Sequence, residues 1–211
     1  MKRLLVLGAG GHGRVVGDTA QCAGSWSEIG YLDDGIPPST NVGGIGEVIG
    51  PISELESCLR RYDEIIIAIG GNKTRYDLAQ RARSLGAAFA VIVHPRAWVS
   101  SHARLGAGTV VCAGAAVNHG AVIHESVIVN TGATVDHDCV IHDAVHLSPG
   151  SNISGTVTIG KRVWIGTGAS VKHGITIGDD TIVGVGAAVV ADIPGGVTAV
   201  GVPARVVRSV F

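Results

Sequence analysis

The triplet Asp136-His137-Asp138 is the strongest candidate for chemistry in this chain. An imidazole takes up and releases a proton near neutral pH, and a neighbouring carboxylate can fix its tautomer and raise its basicity. His137 therefore suits the role of a general base, with Asp136 or Asp138 as its partner. A structural role is the alternative, because an imidazole is also stable at a polar exposed turn.

A glycine-rich segment near the start of the chain is a second candidate site. Residues 3–7 are mostly aliphatic, residues 8–13 read Gly-Ala-Gly-Gly-His-Gly, and residues 14–23 have a helix-like pattern. A strand, a glycine turn and a helix in this order can cradle a phosphate, because the backbone approaches closely and the helix begins with free N–H groups. His12 could contact the ligand or make a structural hydrogen bond.

Two further aliphatic runs end in polar residues. Residues 29–32 precede Asp33 and Asp34, and residues 64–69 precede Gly70, Gly71 and Asn72. An acidic residue at this distance from the glycine turn can bind a ribose hydroxyl, although both aspartates could simply form a turn. Three strands with polar C-terminal loops predict a small parallel α/β sheet of about 90 residues, which has room for a mononucleotide or a nucleotide-linked sugar.

The second half of the chain has a strict six-residue repeat, typical of a parallel β-helix. Every sixth residue is aliphatic, and the residue two before it is small or apolar, so both sets are expected to face the interior. The aliphatic positions are Val99, Leu105, Val111, Val117, Ile123, Val129, Val135, Ile141, Leu147, Ile153, Ile159, Ile165, Val171, Ile177, Val183 and Val189.

Three hexapeptides make one turn, so residues 18 apart should stack on one corner of the coil. One such corner carries His119, His137, Gly155 and His173. The N–H of a glycine one coil beyond His137 could meet the oxygen of a reacting carbonyl group. A metal site is less favoured, because stacked corner histidines diverge and the chain lacks a zinc-type ligand spacing.

Composition limits the classes of partner. Sixteen Lys and Arg against 17 Asp and Glu give a net charge of −1, which argues against nucleic acid as a ligand. Four cysteines without CxxC spacing fit the reducing cytoplasm. The first apolar run ends at Gly8, so we expect no signal peptide and no membrane insertion. Two domains are predicted, over residues 1–94 and 95–211.

Several motifs together resemble one family, the hexapeptide acyltransferases, and within it the sialic acid O-acetyltransferases and bacillosamine-type nucleotide-sugar N-acetyltransferases. The motifs are the loop at residues 8–13, Tyr31-Leu32-Asp33-Asp34, Ala68-Ile69-Gly70-Gly71-Asn72, Val129-Asn130-Thr131, Val135-Asp136-His137-Asp138-Cys139 and Gly201-Val202-Pro203-Ala204. The resemblance implies a Rossmann-like α/β domain followed by a left-handed β-helix, an exception to right-handed crossovers. It also implies a homotrimer that uses acetyl-CoA.

The same resemblance implies roles for particular residues. His137 matches the catalytic histidine and Asp138 its acidic partner, and no metal is implied. Acetyl-CoA would be bound by Asn130, His146, Gly155, Gly166 and Thr167, and the acceptor by Gly10, Gly11, His12, Gly13, Asp33, Asp34, Gly70 and Asn72. One departure is Gly71, where relatives often carry asparagine.

We therefore expect an acetyl-CoA-dependent N-acetyltransferase that acts on a nucleotide-linked amino-deoxysugar, for example a UDP- or dTDP-4-amino-4,6-dideoxy sugar, in bacterial glycan synthesis. Two alternatives stay open. The first is O-acetylation of sialic acid, and the second is a non-catalytic trimeric scaffold that binds a sugar nucleotide. The acidic residues around His137 argue against a scaffold, which has no need of a base.

Overall fold

The computed structural model describes residues 2–210 of the chain. The chain forms two compact units, of which the first ends at Pro95 and the second begins at Arg96. The boundary expected from the sequence, between residues 94 and 95, lies one residue earlier.

The first unit is an α/β sheet with helices. Its elements are β1 (Lys2–Leu7), α1 (Gly11–Ala23), β2 (Trp26–Leu32), β3 (Asn41–Val42), β4 (Gly46–Gly50), a 3₁₀ turn (Ile52–Glu54), α2 (Leu55–Cys58), β5 (Glu64–Ile67), α3 (Asn72–Ser84) and β6 (Ile92–Val93). Five of the strands form a sheet in the order β3-β4-β2-β1-β5. All neighbours are parallel except β3 and β4.

The central strands of this sheet form because their aliphatic runs are buried on both faces, as is typical of parallel sheets. Residues 4–7 of β1 and residues 65 and 66 of β5 have no exposed surface. The predicted strands at residues 3–7, 29–32 and 64–69 correspond to β1, β2 and β5. The hairpin of β3 and β4 was not predicted, because residues 41–50 are rich in glycine and lack an aliphatic run.

The glycine loop lets α1 begin close to the end of β1. A Cβ at Gly13 would overlap the carbonyl oxygen of Gly8, so only glycine permits this approach. Gly8 itself has φ +104° and donates its N–H to the carbonyl oxygen of Leu32 at 2.8 Å. Close contacts between backbone segments, of Gly13 with Gly8 and of Gly8 with Leu32, therefore determine the shape of the loop.

The second unit is a left-handed parallel β-helix. Its two-residue strands are β7 (Trp98–Val99), β8 (Arg104–Leu105), β9 (Val110–Val111), β10 (Ala116–Val117), β11 (Val122–Ile123), β12 (Ile128–Val129), β13 (Thr134–Val135), β14 (Val140–Ile141), β15 (His146–Leu147), β16 (Asn152–Ile153), β17 (Thr158–Ile159), β18 (Trp164–Ile165), β19 (Ser170–Val171), β20 (Thr176–Ile177), β21 (Ile182–Val183) and β22 (Ala188–Val189). Every third strand joins the same sheet, so the coil has three faces, and the strands within each face are parallel. Paired residues are 18 apart, as Ala116 and Thr134 illustrate.

The interior of the coil is filled by the two sets of residues that the repeat identified. From Val111 to Val189 each sixth aliphatic residue is at most 1% exposed, whereas Val99 and Leu105 at the start are only partly buried. Most residues two positions earlier are also buried, including the polar Thr109, Ser151 and Thr181. The predicted inward orientation is therefore confirmed.

Each corner of the coil contains one residue in the left-handed region of backbone conformation. From residue 108 to residue 186 every sixth residue has φ between 53° and 76°, and eight of these 14 positions are glycine. The other six are Ser126, Asp138, Ala144, Thr156, Arg162 and Asp180. A residue with a Cβ is destabilised by about 1 kcal/mol in this conformation, so the backbone at Asp138 is unfavourable relative to a glycine.

The coil ends in β23 (Val197–Val200) and β24 (Arg205–Ser209), which pair with each other in antiparallel fashion. Among residues 2–210, no helix is long and apolar enough to span a lipid bilayer.

Candidate active site

His137 and Asp138 form a hydrogen-bonded pair on a corner of the coil. Nδ1 of His137 lies 3.0 Å from Oδ2 of Asp138, and both side chains are more than half exposed. Asp138 is in the left-handed region of backbone conformation, with φ 57°, at the corner where the chain turns from β13 to β14, and its carboxylate contacts the ring of the preceding residue. A proton on Nδ1 then satisfies the carboxylate, and Nε2 keeps its lone pair as a base.

Asp136 accepts hydrogen bonds from the backbone and from Asn118, whereas Asp138 contacts the ring of His137. Its Oδ1 accepts the N–H of His137 at 2.8 Å and the side-chain amide of Asn118 at 3.0 Å. The sequence left open which aspartate pairs with the imidazole, and the structure places Asp138 there. Asp136 and Asn118 instead hold the main chain at His137.

Two glycines provide the space that this pair occupies. A Cβ at Gly155, one coil beyond His137, would overlap the imidazole, and a Cβ at Gly120, one coil before Asp138, would overlap the carboxylate. Within residues 2–210 the N–H of Gly155 donates to no acceptor. A free donor and a free imidazole nitrogen therefore lie side by side.

The acidic neighbours change the proton affinity of His137. The hydrogen bond that the ring donates to Asp138 is the main cause that raises the pKa of His137 above the usual 6.5, and the negative charges of Asp136 and Asp138 act in the same direction. The pKa of Asp136 is lowered, mainly because it accepts the N–H of His137 and the amide of Asn118. Asp136 is thus a stable anion near the ring.

Cys139 follows the pair but is unsuited to nucleophilic attack. Its side chain is buried in the coil, its thiol donates to the carbonyl oxygen of Ser154 at 3.1 Å, and burial raises its pKa. A thiol in this state is seldom the reactive thiolate.

A second cluster contains two of the residues expected to bind acetyl-CoA. Nδ2 of Asn130 lies 3.1 Å from Nε2 of His146, and the ring of His146 stacks on Trp164 with centroids 5.1 Å apart. The indole N–H of Trp164 donates to Oγ of Ser148 at 2.8 Å. The cluster is a continuous chain of contacts that runs from Asn130, directly after β12, across β15 to β18.

The same part of the coil contains a groove with a volume of about 330 Å³. Gly166 and Thr167, both expected at the acetyl-CoA site, line it together with Trp164, Ser148 and Val185. Its mainly apolar walls suit an uncharged chain more than a charged group. The structure therefore brings Gly166 and Thr167 together with Trp164, which the sequence did not indicate.

In the first unit, the glycine loop presents the start of α1. Gly10 caps this helix, no side chain caps it, and a Cβ at Gly10 or Gly11 would meet open space. The first turn of α1 therefore begins without a side-chain cap, as expected of a phosphate site.

Asp33 and Asp34 differ in how their carboxylates are used. Asp33 accepts the N–H groups of Ala9, Gly35 and Ile36 at 2.7–3.0 Å, which ties the glycine loop to the end of β2. Within residues 2–210, Asp34 accepts only the N–H of Ile52, at 2.8 Å. Both line a cavity of about 470 Å³.

The remaining walls of that cavity come from loops, from the 3₁₀ turn and from α3. They include Ile69, Ser53, Thr74 and Arg81. The cavity therefore lies where β2 and β5 end, as expected for a ligand of a parallel sheet.

Arg75 is a fully buried arginine beside the predicted ligand loops. It donates to the carbonyl oxygens of Ile69 and Gly70 at 2.8 and 3.0 Å, and to Oδ1 of Asn72 at 2.8 Å. Gly70 and Asn72 were predicted to contact the acceptor, and Arg75 holds both in place. No sequence pattern indicated this role for Arg75, because nothing in the pattern of α3 marks that residue as buried.

His12 is held neutral by its surroundings. Burial and the nearby charge of Arg75 lower the pKa of its imidazole to about 4. His12 can therefore act as a neutral hydrogen-bonding group, and the positive charge of this region resides on Arg75. Among the residues described, no group of three His, Cys, Asp or Glu side chains could hold a metal ion.

Three of the residues described above could have been found by the 18-residue rule. Asn118 lies 18 residues before Asp136, Gly120 lies 18 before Asp138, and Trp164 lies 18 after His146. Asn118 directly precedes His119 on the corner that carries His137, and the sequence alone indicated no role for it.

Comparisons with known proteins match both units. Residues 3–82 match the family model for the PglD N-terminal domain, and residues 156–191 match the bacterial transferase hexapeptide model of six repeats. UDP-N-acetylbacillosamine N-acetyltransferase of Bacillus subtilis (strain 168) is 39% identical over 115 residues. That match covers 54% of this chain and about half, 52%, of the length of the relative.

Solved structures match over nearly the full length. The acetyltransferase domain of PglB from Neisseria gonorrhoeae FA1090 is 43% identical with a TM-score of 0.94, over 98% of this chain and 100% of that one. The same domain in complex with acetyl coenzyme A has a TM-score of 0.93, covers 98% and 99%, and is again 43% identical. PerB from Caulobacter crescentus, in complex with CoA and GDP-perosamine, is 38% identical with a TM-score of 0.91, over 98% of each chain.

Each unit matches a family model, and the solved structures named above are at least 38% identical over 98% of this chain. The chain belongs to the hexapeptide-repeat acetyltransferases that carry a PglD-type N-terminal domain.

Proposed function

We propose that this protein transfers an acetyl group from acetyl-CoA to the amino group of a nucleotide-linked amino-deoxysugar. The observation that carries the proposal is the His137–Asp138 pair, whose Nε2 is available beside the free N–H of Gly155. The relatives with full-length similarity include one in complex with acetyl coenzyme A and one in complex with CoA and GDP-perosamine.

His137 is the general base in this proposal. An amino group is largely protonated near neutral pH and must lose a proton before it attacks a thioester. Nε2 of His137 accepts that proton, and the hydrogen bond from Nδ1 to Asp138 stabilises the resulting imidazolium. The nitrogen lone pair that is set free then forms the C–N bond with the carbonyl carbon of the thioester. The C–S bond breaks, the nitrogen gives up a second proton and the sulfur takes one up, so that coenzyme A leaves as the thiol.

Gly155 and Asn130 supply hydrogen-bond donors to the acetyl group. The N–H of Gly155 stabilises the negative charge that develops on the acetyl oxygen. The amide of Asn130 is oriented by its contacts with the N–H of Thr131 and with His146. Gly166 and Thr167 line the groove for the apolar part of the co-substrate.

The first unit holds the nucleotide of the acceptor. The start of α1, at Gly10 to Gly13, receives a phosphate, and His12 provides a neutral hydrogen-bonding group. Asp34 faces the cavity at the strand ends with one carboxylate oxygen that accepts no hydrogen bond within residues 2–210. Gly70 lies in the adjoining loop after β5 and Asn72 is the first residue of α3, and Arg75 donates hydrogen bonds to both of them.

We further propose a homotrimer in the cytoplasm. The support for a trimer is the family to which the chain belongs. The support for the cytoplasm is the presence of four free cysteines, which fit a reducing compartment. Sedimentation of the purified protein tests the trimer.

An acetyl-transfer assay tests the function. Purified protein is incubated with acetyl-CoA and with UDP-, dTDP- or GDP-linked 4-amino sugars, and thiol release and product mass are measured. We expect thiol release that depends on the acceptor, together with the mass gain of one acetyl group. The matched control is the same sugar nucleotide with a hydroxyl group in place of the amine.

The alternatives predict other outcomes of the same assay. Acetylation of sialic acid, or of the hydroxyl control, would favour an O-acetyltransferase. Acetyl-CoA binding without thiol release from any acceptor would favour a scaffold.

A further inference from the structure

Trp164 lies across the neighbouring strand on one face of the coil. His146 and Trp164 are paired residues of β15 and β18. Their rings are nearly parallel, with 21° between the planes and 5.1 Å between the centroids. The indole thus extends over the strand that contains His146.

The far end of the indole is fixed by a hydrogen bond. Nε1 of Trp164 donates to Oγ of Ser148 at 2.8 Å. His146 and Ser148 are only 7% and 4% exposed, whereas Trp164 is 38% exposed. The indole therefore forms the outer layer above these two polar side chains.

His146 in turn contacts the side-chain amide of Asn130 and orients it. Oδ1 of Asn130 accepts the N–H of Thr131 at 2.8 Å, which directs Nδ2 towards Nε2 of His146 at 3.1 Å. With Nδ2 as the donor, Nε2 accepts, and the second N–H of the amide stays available for a ligand. A shift of the imidazole would turn this amide away.

We infer that Trp164 is a positioning residue of the acetyl-CoA site, which holds His146 by ring stacking and thereby fixes the amide of Asn130. The inference rests on the proposed function, because it takes Asn130 as a contact of the acetyl group. Trp164 also lines the groove that contains Gly166 and Thr167, so one side chain borders both parts of the site.

The primary test is the binding of acetyl-CoA to the full-length protein. We expect Trp164→Ala to raise the Kd for acetyl-CoA about tenfold, since both an aromatic stack and a hydrogen bond are lost. Trp164→Phe keeps a stacked ring without the N–H and should raise it only about threefold. The KM of the acceptor should stay unchanged in both variants.

Coupling to Asn130 separates positioning from direct contact. If Trp164 acts through Asn130, the Kd of the double variant Asn130→Ala/Trp164→Ala should lie within about twofold of that of Asn130→Ala alone. A Kd increase equal to the product of the two single effects would overturn the inference, because Trp164 would then act independently.

The chain offers a matched control in Trp98. Trp98 is also the first residue of a two-residue strand, β7, and is 66% exposed. Trp98→Ala should leave the Kd unchanged. Acetyl-CoA should change the tryptophan fluorescence of the wild type and of Trp98→Phe, and the change should be absent in Trp164→Phe.

The outcomes distinguish the inference from the proposed function. An unchanged Kd in Trp164→Ala overturns the inference and leaves the function intact. A wild type that does not bind acetyl-CoA overturns both. If Trp164→Ala does not fold, Trp164→Phe and Ser148→Ala provide the test, and a wild-type Kd in both variants overturns the inference.

Discussion

The imidazole of His137 occupies the space that a side chain at residue 155 would need, since a Cβ on Gly155 would overlap Nε2 and Cε1 of the ring. Gly155 therefore has two separate properties in the proposed site. Its missing side chain admits the base, and its N–H is available to the acetyl oxygen.

Gly155→Ala separates these two properties, because alanine keeps the N–H but displaces the ring. We expect kcat to fall about 100-fold, which is typical when a catalytic group moves by about 1 Å. The measurement is steady-state kinetics, with circular dichroism as the control for folding. A kcat near that of the wild type would show that the N–H alone matters at this residue.

His137→Ala should remove the base and keep the coil. The interior residues are untouched, so we expect acetyl-CoA to bind normally while turnover falls about 10²–10⁴-fold. His119→Ala is the matched control, because His119 lies one coil earlier on the same corner. Turnover of His137→Ala close to the wild-type value would exclude His137 from proton transfer.

Asp138→Asn should move the pH dependence of the reaction. His137 must be neutral to act as a base, and its pKa is raised above the usual 6.5 mainly because Asp138 accepts a hydrogen bond from the ring. kcat/KM should therefore fall as the pH drops through that raised pKa, and the fall should shift to lower pH in the variant. Asp136→Asn should give a smaller shift, because Asp136 does not bond to the ring. The measurement is a profile of kcat/KM between pH 5.5 and pH 9. An identical midpoint in the wild type and in Asp138→Asn would contradict the role of Asp138 as the partner of His137.

His12→Gln should reduce the sensitivity of the protein to acid. The folded-state pKa of about 4 lies below the usual 6.5, so the unfolded chain binds a proton more readily between these values. The contribution of a neutral His12 is present above pH 6.5 and is lost as the pH falls towards 4. Urea unfolding at pH 7 and pH 4.5 should show that the wild type loses about 2–3 kcal/mol more than the variant. Equal losses would mean that His12 is protonated normally in the folded state.

Asp33 and Asp34 should differ when they are replaced by alanine. Asp33 accepts three backbone N–H groups, so Asp33→Ala should lower the free energy of unfolding by about 2 kcal/mol or more and also raise the KM of the acceptor. Asp34→Ala should mainly raise that KM. Asp77→Ala removes an exposed ion pair with Lys73 and serves as the control, with a change of less than about 1 kcal/mol. Unchanged KM values in both variants would place the nucleotide elsewhere.

The sequence alone determined the architecture of the second unit. A six-residue period fixes which side chains face inward, because a strand alternates its faces and a coil of three strands repeats after 18 residues. That period, with the motifs around His137 and the glycine loop, was sufficient to predict the β-helix, the α/β unit and the family.

The tertiary structure decided how neighbouring polar groups are paired. The sequence could not choose between Asp136 and Asp138, because the choice depends on the left-handed backbone at residue 138. It could not reveal the burial of Arg75 or the stack of Trp164 on His146, since both arise from contacts between elements. Periodicity fixes the direction of a side chain, whereas hydrogen-bond partners and pKa values depend on distances that only the folded chain sets.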